Sequence, residues 1–124
     1  MIELLSDDQS LTFRQAEEQL LGATHEAFGA GLCRKWKFPV TLEHVAGWHH
    51  QPMQLSEADR TLPAIVHVAD VLAALINAGY TRTVEVEAVD PEVLCSLNLS
   101  EPDIEAVAET LPEAVQETQQ LLSA

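Results

Sequence analysis

Pro63-Ala64-Ile65-Val66-His67-Val68-Ala69-Asp70-Val71-Leu72-Ala73-Ala74-Leu75-Ile76 is the stretch that decides the fold. Proline suits the first turn of a helix, and the run behind it is apolar nearly all round. It predicts a central, buried helix from a cap near Thr61 to Ala78, closed by Gly79. Asp70 lies mid-helix among these apolar residues, where a carboxylate is costly unless it is paired or metal-bound. His67, three residues earlier on the same face, is its nearest local partner.

Working outward, helical spacing continues in both directions. Thr12-Phe13-Arg14-Gln15 has the form of a capping box and opens a helix through Leu20 and Leu21 that Gly22 stops. Thr24 can cap a second helix to about Trp36, with an expected inner stripe of Phe28, Leu32, Cys33 and Trp36. Gly29 and Gly31 weaken that helix by up to roughly 1 kcal/mol each, which points to close approach by a neighbour. After Phe38-Pro39, Thr41 caps a third helix from Leu42 to His50, ended by Pro52. Ser56 to Asp59 suits a short turn. Thr83 to Ala88 alternates but has no evident strand partner, so it reads as loop. Asp90-Pro91 starts a helix to Leu97, Ser100 to Asp103 start another, and Pro112 is expected to split the C-terminal stretch in two. The fold class is all-α: an irregular bundle of about six to seven helices.

The 124 residues suit one domain spanning 1–124, and the 47% of hydrophobic residues allows a real core. Five of the six aromatic residues lie between Phe13 and Trp48, so that stretch is expected to supply the bulky part of it. The formal charge is −14, ten of the twenty acids fall from Glu85 onward, and no Lys or Arg follows Arg82. Such a surface repels nucleic acid and anionic lipid. Arg34-Lys35-Trp36-Lys37 reads as the wet end of an amphipathic helix rather than a phosphate site. Cys33 and Cys95 read as small core residues in a reducing compartment. With no signal peptide and no membrane-spanning run, the expected location is the cytoplasm.

Four groups carry the chemistry: His25, the pair His49-His50, and Asp70. Imidazoles and a carboxylate gathered from several helices are what a first-row metal site or a buried polar network needs. Neighbours on a helix point about 100° apart, so His49 and His50 can face one centre only where their helix ends. His44 reads as a separate residue.

These frames resemble the HDOD domain, the HD-related output domain of bacterial signalling proteins. The likeness is carried by Glu17 to Ala30, with Gly22, Thr24-His25 and Gly29-Ala30, then Leu32 and Trp36 to Pro39. It continues through His49-His50-Gln51-Pro52, Ala64 to Asp70 and Leu97 to Ser100, and so spans roughly residues 17 to 122. In the catalytic relatives, the HD-GYP phosphodiesterases, the positions of His25, His49, His50 and Asp70 are metal ligands. The HD signature itself and the glycine-tyrosine-proline motif are both absent; Gln51-Pro52-Met53-Gln54 stands where the latter should be. The resemblance therefore implies an HD-like bundle lacking its N-terminal helices and a non-catalytic regulatory module acting through protein–protein contact. No catalytic residue and no resident cofactor is expected, and a divalent transition metal on the four ligand positions is the alternative. The rival function is a metal-dependent phosphohydrolase of a nucleotide or cyclic dinucleotide, incomplete in this chain. The face left open by missing helices implies a homodimer, or packing against those helices.

Overall fold

The computed structural model describes residues 11–77 and 88–123. Within them run six α-helices: α1 (Phe13–Leu21), α2 (His25–Lys35), α3 (Val40–Trp48), α4 (Thr61–Leu75), α5 (Pro91–Ser96) and α6 (Glu101–Ser123), with a 3₁₀ turn at Pro52–Gln54. The described residues hold no strand, and none of their helices is long and apolar enough to cross a membrane. The fourth helix ends at Leu75, short of the expected Ala78, with Asn77 leaving it in the left-handed region at φ 56°; Ala78-Gly79 and most of the segment from Thr83 to Ala88 lie outside the described residues.

Local signals set most of the boundaries. Thr12 caps α1 in a complete capping box with Gln15, and Gly22 closes the helix in the left-handed region at φ 78°. Thr24 Oγ1 accepts from the Ala27 amide at the start of α2, and Asp90 accepts from the Glu92 amide at the start of α5. Asn98, at φ 54°, turns the chain out of α5. Two further boundaries differ from expectation. The third helix starts at Val40 behind Pro39, with Thr41 already inside it, because the fixed φ of proline sets the entry. Pro112 does not split the last helix: α6 runs unbroken from Glu101 to Ser123, its loss of one ladder bond offset by good helix formers on both sides.

Helices α2 and α3 are antiparallel, since Arg34 meets Glu43, Gly29 meets Ala46 and His25 meets His49. Their contact is tight. A Cβ on Gly29 would lie 3.2 Å from Ala46 Cβ, and one on Gly47 would lie 3.3 Å from Ala30 Cβ. This reverses the expected orientation of α2. Its buried residues are Glu26 and Ala30, whereas Phe28, Leu32 and Trp36 are exposed. Small side chains pack inward because they let two backbones approach, and the bulky stripe is left facing out. Phe38 and Trp48 are exposed too, so the aromatic residues are not the core.

The core sits on α4 instead. Pro63, Ala64, His67, Val68, Val71 and Leu72 are buried at the spacing of one helical face. Ala64, Val68 and Leu72 cluster with Val93 and Leu94 of α5, and Met53, Ile104, Ala108 and Leu111 pack around them. Burial of each such Val or Leu contributes about 1.5–3 kcal/mol. The helix is not buried all round as expected: Ile65 and Leu75 are half-exposed. Neither cysteine is a core residue, Cys33 being half-buried and Cys95 exposed, both free.

The two glycines of α2 separate propensity from packing. A Cβ on Gly31 meets nothing within 4 Å, so Gly31→Ala should stabilise the protein by about 0.5–1 kcal/mol in urea unfolding. Gly29→Ala should forfeit that gain, and Gly29→Leu should destabilise by about 1–3 kcal/mol by forcing α2 off α3.

Candidate metal centre

The antiparallel contact of α2 and α3 brings the first residue of α2 to the last turn of α3. Three imidazoles meet there. His25 Nε2 lies 3.1 Å from His50 Nε2 and 3.4 Å from His49 Nε2. One nitrogen from each of His25, His49 and His50 falls within 4.8 Å of the others. His49 is the C-cap of α3, and the chain leaves the helix after it. That departure lets adjacent histidines face one point.

The opposite ring edges are held by acceptors. His25 Nδ1 lies 2.8 and 2.9 Å from the two carboxylate oxygens of Glu17, and the His25 backbone N–H donates to Glu17 Oε2 at 2.9 Å. A carboxylate only accepts, so Nδ1 carries the proton and Nε2 of neutral His25 is a bare lone pair. His49 Nδ1 donates to the Val45 carbonyl at 2.9 Å, which leaves its Nε2 bare in the same way. Two lone pairs 3.4 Å apart cannot bond to each other; a proton on His50 Nε2, which lies 3.1 Å from His25 Nε2, or a cation satisfies them. Around a tetrahedral ion with bonds of about 2.05 Å, ligand nitrogens lie about 3.3 Å apart. The three residues therefore fit one transition ion, with Glu17 and the Val45 carbonyl as the outer groups that orient ligating imidazoles.

Asp70 stands apart from this point. Its carboxylate is 4.0 Å from His50 Nδ1, on the far side of that ring, and its side chain is 35% exposed. Its premise of deep burial is thereby corrected: at the edge of α4 the carboxylate keeps much of its hydration. Nor does it pair with His67. The His67 ring turns inward instead, with Nδ1 donating to the His49 carbonyl at 2.9 Å. His67 Nε2 is buried with no hydrogen-bond partner among the described residues, an arrangement that costs about 1–3 kcal/mol. His44 lies outside the cluster.

Glu17 and Glu26 are buried acids that sequence reasoning passed over as functional groups. Glu26 is paired with Arg14 Nε at 2.9 Å. A signal for Glu17 existed: it shares the inward helical face of α1 with Phe13 and Ala16. A charge on an apolar stripe asks for a partner, and His25 is that partner.

The His50 ring is the most enclosed of the three, its side chain only 10% exposed. Burial, then the adjacent His49, pushes its pKa down from 6.5 to about 4; Glu26 opposes this. It is neutral at pH 7, the form that ligates metal. The sign of the linkage follows. As pH falls below 6.5 the unfolded chain takes up a proton that the folded chain refuses until about pH 4. Stability of the metal-free protein should therefore drop between pH 6.5 and 4 more steeply than in His50→Gln, as read by urea unfolding at each pH.

A family model of the HDOD domain matches residues 1–52. No curated protein matches the chain, and neither does any solved structure. The match takes in His25, His49 and His50 and stops short of Asp70 and α4, so it covers less of the chain than the likeness read in the sequence. Over residues 1–52, the stretch that contributes all three converging imidazoles, the chain resembles the HDOD domain, a member of an HD-related signalling family.

Proposed function

We propose that this chain is a non-catalytic regulatory module of the HD-related type, acting in the cytoplasm, in which His25, His49 and His50 hold one divalent transition ion. The observation that supports the ion is the convergence of three Nε2 atoms, with the outer ring nitrogens of His25 and His49 already engaged. The sequence favoured a purely structural network; bare lone pairs at 3.4 Å favour the metal-binding alternative. Bound there, the ion supplies a cross-link between α2 and the end of α3.

Turnover of a phosphate ester is disfavoured by the absence of an anion clamp among the described residues. Arg14 and Arg34 are each engaged by a carboxylate, and Arg60 donates to the Leu55 carbonyl. Lys35 and Lys37 sit at the far end of α2, about 15 Å along the helix from His25. The ≈ 260 Å³ cavity beside His50 and His67 has no Lys or Arg in its described lining. A two-metal hydrolytic site would also need further ligands to clamp attacking and leaving oxygens.

The partner we favour is a second copy. Phe28, Leu32, Trp36 and Phe38 form an exposed apolar face beside Lys35 and Lys37, in a chain of charge −14. The outer half of α6 is its complement, with Leu121 and Leu122 exposed beside Glu113 and Glu117 and no basic residue.

Elemental analysis of untagged protein, after equilibration with zinc and then manganese, should find one ion per chain. The ion should be lost in His25→Ala and His49→Ala. Saturating metal at about 100 times Kd should stabilise by roughly 2.7 kcal/mol. Metal-free protein with no affinity restores the structural-network reading. Stoichiometric metal with hydrolysis of a cyclic dinucleotide establishes the phosphohydrolase instead. Sedimentation should give a dimer that Trp36→Glu dissociates; a monomeric parent removes the self-association.

A further inference from the structure

The structure leaves His67 without the role its spacing suggested, and its actual partner assigns another. We infer that His67 is a positioning residue: its buried Nδ1–H holds the peptide between His49 and His50 in the one orientation that turns both imidazoles toward His25. This rests on the reading of the three histidines as a metal centre.

The His49 carbonyl belongs to the last turn of α3, where helix carbonyls have no intrahelical donor. His67 Nδ1, from α4, donates to it at 2.9 Å. That carbonyl is part of the peptide plane joining two ligand residues. Rotation of this plane moves the two rings relative to each other, because it sets how the chain leaves the helix. The other constraints act elsewhere: Val45 holds the His49 ring, and Glu17 holds His25. Among the described residues no other hydrogen bond restrains this carbonyl.

The remaining ring atom strengthens the case. His67 is 8% exposed, and its Nε2 has no partner among the described residues. A leucine in this core position would carry no such unpaired nitrogen. An imidazole here is explained by its donor, and that donor has a single acceptor, the His49 carbonyl.

Asparagine places its amide N–H near the position of Nδ1 and has no counterpart of Nε2. Glutamine places its amide near Nε2. His67→Asn should bind cobalt(II) within threefold of the parent Kd, with the same visible spectrum, and should melt at the same or a higher temperature. His67→Leu, with helical circular dichroism intact, should raise Kd ten- to a hundredfold and alter the spectrum. If the leucine variant does not fold, His67→Gln against His67→Asn makes the same comparison, with the loss expected in the glutamine variant.

A second readout needs no metal. The His50 amide reports the hydrogen bond at the His49 carbonyl, so its ¹⁵N and ¹H shifts in EDTA-treated protein should change in His67→Leu and hold in His67→Asn. A folded leucine variant with unchanged Kd overturns the inference, as does an asparagine variant as impaired as leucine or a His50 amide indifferent to all of them. A parent that binds no cobalt removes the metal reading, while the amide shifts still decide whether His67 holds the peptide.

Discussion

The close approach of α2 and α3 is the constraint on which the rest depends. With Gly29 against Ala46 and Ala30 against Gly47, the two backbones approach more closely than larger side chains would permit. Antiparallel packing at that distance lays the N-terminus of one helix beside the C-terminus of the other, which is where His25 and the His49-His50 pair stand. A wider spacing would leave the same residues in the chain and no common centre among them.

Two buried carboxylates secure that corner from the other side. Glu17 accepts from both the ring and the backbone of His25, so α1 fixes the tautomer of that imidazole as well as its position. Glu26 is neutralised by Arg14, again from α1. Buried charges of this kind add little net stability but are costly to strand. Their value here is orientation: Nδ1 of His25 is engaged by Glu17, as Nδ1 of His49 is by the Val45 carbonyl, so both Nε2 atoms face the centre as acceptors. The inward histidine of α4 extends the same logic to the backbone.

The inward packing of small residues on α2 also explains the chain's surface. Because Glu26 and Ala30 face α3, the bulky stripe of the same helix faces solvent, flanked by Arg34, Lys35 and Lys37, half of the chain's six basic residues. Solubility as an isolated unit and close helix contact pull in opposite directions. The stretch that resembles the HDOD domain, residues 1–52, contains this exposed face, and exposed apolar patches are what contact surfaces present.

Local structure was legible in the sequence because its determinants are local. The Thr12–Gln15 box, the left-handed Gly22, the Thr24 and Asp90 caps and the apolar face of α4 all form among neighbours within one helical turn. The candidate ligands were legible too, since histidines flanking helix ends are conspicuous. Partnership was not. Whether α2 turns its glycines or its aromatics inward depends on how near α3 can come. Asp70 stays near water and His67 turns from it because α4 meets the end of α3 at a particular angle. Those choices are made by contacts between residues 17 to 25 positions apart, and such contacts exist only once the helices have packed.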